Sequence, residues 1–220
     1  MLSFMPMDPR GASDETIALI ARLRRGDASA LEPIYRRESG PVYRYALALC
    51  ANAAWSADAM QEAFVTLASQ PQNFDPLRGS LGAWLAGVAR HHLLARWREA
   101  RREVEAADDG DGPLAHETVH GAVYGAAHGA AHSAAHDAQP DMLLMQAQDQ
   151  AALWRAIQSL RWPFREALIL VDLQERAYVE AAHIAGIEIN TLRTRLHRAR
   201  QRLAVLLRTE RVQLPGVASS

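Results

Sequence analysis

Apolar residues recur at intervals of three and four along most of this chain, and the alternating pattern of a β-strand is nearly absent. Caps and breakers separate these periodic segments; Asp14 and Ser80, for example, each stand directly before one. The sequence therefore predicts an all-α protein. The predicted helices begin at Asp14, after Asp27 (with an interruption at Gly40-Pro41), at Ser56 and at Ser80, and then cover 141–159, 163–173, 177–184 and 189–208.

A change of composition divides the chain into two ordered parts. Residues 104–140 contain six acids and no arginine. They include a four-residue repeat, in which a histidine or tyrosine recurs at every fourth position: His116, His120, Tyr124, His128, His132 and His136. Such a segment is predicted to be a flexible linker, about 120 Å long when fully extended. We expect two small helical domains, an N-terminal helical bundle over 14–103 and a C-terminal helix-turn-helix domain over 141–208. Residues 1–13 are predicted to be disordered and 209–220 to be flexible.

The sequence disfavours several classes of protein. No apolar run reaches the roughly 18 residues that a membrane span requires, and residues 1–10 lack the basic and apolar segments of a secretory signal. The single cysteine, Cys50, cannot form an internal disulfide, which favours a reducing cytoplasm. Ser-His-Asp arrangements, phosphate-binding glycine loops and HExxH motifs are not found, so the prediction is a protein without catalytic residues and without a cofactor.

The net charge of −1 conceals a strong segregation of charge. Residues 189–211 carry seven arginines and one acid, and they follow a predicted tight turn at Gly186-Ile187. A helix, a glycine-containing turn and a basic helix are the pattern of a helix-turn-helix, whose second helix lies in the DNA major groove. Asn190 is the predicted cap of this helix. An apolar stripe is predicted to face inward: Ile189, Leu192, Leu196, Ala199, Leu203 and Leu206.

A second basic cluster ends the predicted fourth helix. Its arginines are interleaved with His91, His92 and Trp97, a combination that suits contact with opened DNA strands. Instead of contacting DNA, Trp97 could pack in the hydrophobic core. The arginines are Arg90, Arg96, Arg98, Arg101 and Arg102, against the single acid Glu99 in 90–102.

Motifs in both ordered parts lead to one family. They are Asp58-x-x-Gln61-Glu62-x-Phe64, then Trp84-Leu85-x-x-x-Ala89-Arg90, then Arg165-Glu166-x-Leu168, and finally Gly186-Ile187 followed by Thr191-Leu-Arg193-Thr194-Arg195-Leu-His197-Arg198. Together they resemble the bacterial RNA polymerase sigma factors of the extracytoplasmic-function (ECF) type. The resemblance implies a sigma region 2-like domain over 14–103 and a sigma region 4-like domain over 141–208.

The resemblance also implies partners and site residues. The first domain would bind core RNA polymerase (its beta and beta-prime subunits) through Asp58, Gln61 and Glu62. It would read and open the −10 promoter element, and the second domain would read the −35 element. Regulation by an anti-sigma factor is implied as well. The implied −10 residues are Asn73, Phe74, Arg90, His91 and Arg96, and the implied −35 residues are Asn190, Thr191, Arg193, Thr194, His197 and Arg198. For Phe74, anchoring its loop in the core is an equal alternative.

Two other functions stay open at this point. A free-standing helix-turn-helix regulator with an N-terminal sensing domain would explain the basic helix, although it would not need the motif at 58–64. A metal-binding protein could use His128, His132 and His136, because an i, i+4 spacing would align imidazoles on one face of a helix. Slippage within a repetitive codon tract explains these histidines equally simply.

Overall fold

The computed structural model describes residues 13–107 and 140–212, with side chains described for 13–100 and 149–209. All regular elements in those residues are helical, as predicted. An N-terminal module contains α1 to α4, and a C-terminal module contains α5 to α8. The helices are α1 (Asp14–Arg24), α2 (Leu31–Cys50), α3 (Ala53–Ser69), α4 (Leu81–Ala107), α5 (Pro140–Ser159), α6 (Trp162–Leu168), α7 (Tyr178–Ala185) and α8 (Ile189–Val212). Short 3₁₀ turns precede α2 and follow α3, and a π-helical turn (Ile169–Leu173) continues α6.

Side-chain caps set the starts of several helices. Ser13, and not the predicted Asp14, caps α1 by accepting a hydrogen bond from the Thr16 backbone N–H, and the Ser80 hydroxyl accepts one from the Ala83 N–H as predicted. The predicted cap of α3 was wrong: Asn52 caps that helix by accepting from Trp55 N–H, so α3 begins at Ala53. Ser56 is buried in the first turns of the helix and donates its hydroxyl to the Asn52 carbonyl; it resembled a cap in the sequence because serine is a common N-cap residue.

The predicted interruption at Gly40-Pro41 does not occur, because α2 is continuous through Pro41. A proline inside a helix removes one hydrogen bond and costs about 3 kcal/mol. The same helix buries Ile34, Val42, Tyr45 and Leu49 completely or almost completely. Since each such side chain contributes about 1.5–3 kcal/mol on burial, packing outweighs the cost of the proline.

In the C-terminal module the predicted helix-turn-helix is present. Pro163 lies in the first turn of α6, and Gly186 ends α7 in the left-handed region with φ of 62°. Helix α8 begins at Ile189, so Asn190 lies in its first turn and is not its cap. The predicted inward stripe is confirmed: Leu192, Leu196 and Ala199 are buried, and Ile189, Leu203 and Leu206 are half-buried against the core.

The two modules pack against each other, and their buried residues form one continuous hydrophobic cluster. The contact is centred on the C-terminal end of α2, where backbone carbonyls have no partner within the helix. Gln158 donates its side-chain N–H to Ala48 O at 2.6 Å, and Arg165 donates to Leu49 O at 2.7 Å. The C-terminal module therefore satisfies the free carbonyls of an N-terminal helix.

Arg165 is the central residue of this contact. Only 6% of it is exposed, and its guanidinium also donates to Gln158 O and to Leu160 O, at 2.9 Å for the latter. Those two carbonyls lie at the end of α5, so the charge lies where the C-terminal ends of α2 and α5 meet. Helix C-termini carry partial negative charge, which stabilises a cation there.

Replacing Arg165 with Met is expected to lower the free energy of unfolding by about 3 kcal/mol or more. The substitution keeps most of the apolar stem but leaves several buried carbonyls without a donor, and each such group costs about 1–3 kcal/mol. Urea denaturation followed by circular dichroism measures the change. Arg36→Met is the matched control, because Arg36 forms an exposed pair with Glu32 of a kind that contributes only about 0–1 kcal/mol. Equal stability of the two variants would contradict the assigned role of Arg165.

Cys50, at the end of α2, is expected to react slowly with thiol reagents in the folded protein. It is 5% exposed, and burial raises the pKa of its thiol above the ordinary value of 9.0. Only the thiolate attacks such reagents, so a raised pKa lowers the reactive fraction at neutral pH. The rate of colour release from dithiobis(nitrobenzoate) at pH 7.5 measures this, with the protein unfolded in guanidinium as the control. Similar rates in both states would show that the thiol is accessible.

Candidate nucleic-acid and polymerase interface

One face of α8 carries the residues predicted to contact the −35 element. Arg193, Thr194, His197 and Arg198 are all exposed, and they lie opposite the buried stripe. Asn190 and Thr191 are exposed in the first turn, and they complete the same face. Arg193 approaches Asn190 Oδ1 at 3.4 Å, and its guanidinium lies 5.8 Å from the centre of the Tyr178 ring on α7. The structure thus places all six residues together on an open cationic surface.

A groove between the start of α6 and this face of α8 adds a residue that the sequence analysis missed. Its lining includes Arg161, Arg195 and Arg198, together with Asn190, Thr191 and Thr194. Arg161 is exposed and stands directly before α6. Three guanidinium groups around one groove suit a backbone phosphate. The sequence could not show that Arg161 lies beside α8, because the two are separated by α6 and α7.

Two other arginines of α8 have structural partners. Arg200 forms a two-pronged ion pair with Asp172, at 2.6 and 3.0 Å, which ties α8 to the π-helical turn. Arg202 lies over the ring of Phe164 at 4.6 Å from its centre. The sequence grouped these residues with the other cations of the helix. Their contacts instead stabilise the module, so the surface offered to DNA is narrower than the charge pattern implied.

The predicted −10 residues are divided between the core and the surface. Asn73 is exposed and donates to Gln70 Oε1 at 2.6 Å, whereas Phe74 is 1% exposed and packs edge-on against Trp84. The burial of Phe74 fits the alternative in which this ring anchors its loop. His91 is exposed on α4.

Arg24 holds this loop in place, which the sequence did not reveal. Its guanidinium donates to Phe74 O at 2.6 Å and to Pro71 O at 3.3 Å. Arg24 lies in the last turn of α1, where a basic residue is expected for its interaction with the helix dipole. The fixed loop leaves the Asn73 side chain at the surface.

Arg90, on α4, forms an ion pair with a residue of the C-terminal module. Its guanidinium forms an ion pair with Glu166 through both carboxylate oxygens, and Tyr45 Oη donates to the same carboxylate at 3.3 Å. The Glu166 side chain is 1% exposed and that of Arg90 is 17% exposed. Burial raises the pKa of Glu166 above its ordinary range, and the hydrogen bond from Arg90 opposes that shift. Removing one partner of such a buried pair costs about 3–5 kcal/mol.

The residues predicted to bind polymerase lie at the surface of α3. Asp58, Gln61 and Glu62 are all exposed. Asp58 also forms an ion pair with Arg96, which donates a hydrogen bond to Asp58 Oδ2 at 2.7 Å, and the Arg96 guanidinium lies 5.3 Å from the centre of the Trp55 ring. This ion pair connects α3 to α4, and it joins a residue implied in polymerase binding, Asp58, to one implied in −10 binding, Arg96.

The proposed metal ligands His128, His132 and His136 lie outside the described residues. Within the part of the chain that the structure describes, no group of three or more potential ligand side chains comes together. Likewise, none of the described helices is both long enough and apolar enough to span a membrane.

Comparisons with known proteins match both modules. The family model for Sigma-70 region 2 matches residues 34–103, and the model for Sigma-70 region 4 matches residues 150–203. The ECF RNA polymerase sigma factor EcfG of Rhodopseudomonas palustris is 33% identical over 164 residues, covering 74% of this chain and 77% of that protein. The ECF sigma factor SigM of Bacillus subtilis is 29% identical, over 80% of this chain and 94% of that protein.

A solved structure has the same fold. The sigma factor RpoE from Bartonella quintana, crystallised with the anti-sigma factor NepR, superposes with a TM-score of 0.57 at 24% identity. The match covers 80% of this chain and 96% of that one. With a relative 33% identical over most of its length and matches to both regions in the expected order, the chain belongs to the family of ECF RNA polymerase sigma factors.

Proposed function

We propose that this sigma factor binds core RNA polymerase through α3 and directs it to promoters by reading two DNA elements. The exposed face of α8 contacts the −35 element, and the surface around Asn73 and α4 contacts the −10 element. The protein performs no covalent chemistry of its own, and it acts in the cytoplasm with the polymerase. The observation that carries the proposal is the open face of α8, where six polar and cationic side chains lie opposite the apolar stripe that packs on the core.

The geometry of α8 supports the proposed −35 contact. An α-helix fits the major groove, where arginine pairs with the O6 and N7 atoms of guanine. Arg193 and Arg198 lie on the exposed face of this helix, and Arg161 stands where it can hold a backbone phosphate beside it. The phosphate contact would fix the register of the helix, and the groove contacts would give specificity.

The −10 contact requires an opened strand, whose bases must be unstacked at a cost of a few kcal/mol. Asn73, on a loop held by Arg24, offers an amide to a base edge, while His91 and the arginines of α4 offer contacts to the backbone. Asp58, Gln61 and Glu62 would meet the polymerase on the neighbouring surface of α3. An anti-sigma factor would inhibit the protein by covering these surfaces; RpoE, a sigma factor of the same fold, has been crystallised in complex with the anti-sigma factor NepR.

Transcription with purified components tests the proposal. Core polymerase, this protein and fragmented genomic DNA from the source bacterium are combined, and the RNA products are sequenced. We expect transcripts that begin at a limited set of sites sharing two sequence elements. Binding to DNA without association with core polymerase would instead support the free-standing regulator and contradict a sigma factor.

Arg193→Ala is expected to weaken use of the cognate promoter by about 1–3 kcal/mol and to relax specificity at one −35 position. The substitution removes one side-chain contact in the major groove of the DNA but leaves α8 folded. Run-off transcription from the promoter and from single-base −35 variants measures both effects. Arg25→Ala removes an exposed arginine of the other module and serves as the control. Uniform weakening on all variants would make Arg193 a phosphate contact.

A further inference from the structure

Three arginines surround the groove between the start of α6 and the first turns of α8. Arg161 stands directly before α6, and Arg195 and Arg198 lie on α8. Within the described residues, no acidic side chain forms an ion pair or a hydrogen bond with these three guanidinium groups. Arg200, by contrast, is paired with Asp172. Like charges held close together repel each other, and a bound anion relieves that repulsion.

The buried carboxylate of Glu166 does not neutralise this groove. The charge of Arg195 acts on Glu166 and opposes the rise that burial causes in the pKa of that carboxyl. The hydrogen bonds that Glu166 accepts, however, come from Arg90 and Tyr45. The guanidinium of Arg195, which is half-buried, therefore keeps its donors for a ligand in the groove.

The groove is concave and large enough for a small molecule. Its volume is about 510 Å³, within the range of roughly 300–1,000 Å³ that small-molecule sites in proteins occupy. One wall consists of Arg161, Pro163 and Phe164 at the start of α6, and the other is formed by α8. A ligand in the groove is thus contacted from two sides.

The first turn of α8 adds neutral donors that suit an anion. The first backbone N–H groups of a helix have no partner within it, and the helix dipole is positive at that end. Thr191 and Asn190 both line the groove. Asn190 accepts from Arg193 through Oδ1, at 3.4 Å, which leaves its amide nitrogen able to donate. The described lining residues include no acid, so their combined charge is positive.

We propose that this groove, the Arg161 groove, is a binding site for a small polyphosphate anion, of the class that includes inorganic polyphosphates and nucleoside polyphosphates. The planar fork of a guanidinium matches two phosphate oxygens at once. The volume of the groove is many times the roughly 30 Å³ that one water molecule occupies, so several linked phosphate groups can enter it. Linked phosphates also carry several negative charges, which offset the three arginines.

A polyphosphate in the Arg161 groove competes with −35 DNA, and this consequence rests on the proposed function. Four lining residues belong to the proposed −35 face of α8: Asn190, Thr191, Thr194 and Arg198. The same donors cannot contact both ligands at once. A backbone phosphate of DNA has the same chemistry as a small polyphosphate, so the experiment has to separate these two sources.

The first test titrates inorganic tripolyphosphate into the full chain by calorimetry, at constant low ionic strength because salt screens such contacts. Wild type, Arg161→Gln and Arg208→Gln are compared. Both variants lose one positive charge, but Arg208 is exposed on α8 and does not line the groove. We expect one saturable site, with affinity about tenfold or more weaker in Arg161→Gln only, because a hydrogen bond between charged groups is lost.

A titration of the same three proteins with a 20-base-pair duplex separates the two sources of phosphate. If Arg161→Gln weakens duplex binding while wild type shows no saturable site for tripolyphosphate, the groove holds only the DNA backbone and the proposal is wrong. Equal weakening of tripolyphosphate binding in both variants would also overturn it, because net charge alone would then explain the affinity. The tripolyphosphate titration contains no DNA and no polymerase, so its outcome is independent of whether the protein initiates transcription.

Nuclear magnetic resonance locates the anion in the wild-type chain and does not depend on any variant. Tripolyphosphate is expected to shift the backbone amide signals of Arg161, Thr191 and Thr194, which line the groove. Shifts centred instead on arginines of the other module, such as Arg22 or Arg36, would refute the site.

Discussion

The described structure depends on a single buried cation placed between the ends of two helices. Arg165 reaches from α6 to the last carbonyls of both α2 and α5, where the two helix dipoles point their negative ends at one place. Hydrophobic packing alone would leave these carbonyls without the donors of Arg165, at a cost of about 1–3 kcal/mol for each unsatisfied group, so the guanidinium stabilises the continuous core across the two modules. The guanidinium solves this problem because its donors are arranged as a planar fork. This contact ties α6, on which α8 packs, to the ends of α2 and α5.

Much of the fold could be predicted because its helices are amphipathic and have clear ends. The stripe of α8, the left-handed glycine after α7 and the proline at the start of α6 are local features, and each was confirmed. The errors at Ser56 and Pro41 have a common cause. Both residues carry strong local signals for a helix boundary, but Asn52 already caps α3, and burial of the side chains around Pro41 keeps α2 continuous.

The candidate site could be predicted only in part. The local sequence pattern shows which side chains of a helix are exposed, but it does not show which distant residues they contact. Periodicity indicated which face of α8 is exposed, since the buried stripe fixes the opposite face, and the family resemblance implied which residues of that exposed face contact the −35 element. It could not separate Arg193 from Arg200, whose partner Asp172 lies 28 positions earlier in the chain. Nor could it pair Arg90 with Glu166, which are 76 positions apart on different modules. Roles that depend on such distant contacts become visible only in three dimensions.

The hydrogen bonds from Arg24 have a practical consequence for how the first module can be isolated. The match to Sigma-70 region 2 starts at residue 34, after α1 has ended. A fragment cut at that boundary would keep the loop at 71–74 but lose the side chain that fastens its carbonyls. The exposed Asn73, which we propose contacts the −10 element, would then lie on a loop without these hydrogen bonds. Boundaries drawn from the family match alone would thus remove part of the scaffold, and an isolated domain should start before Ser13.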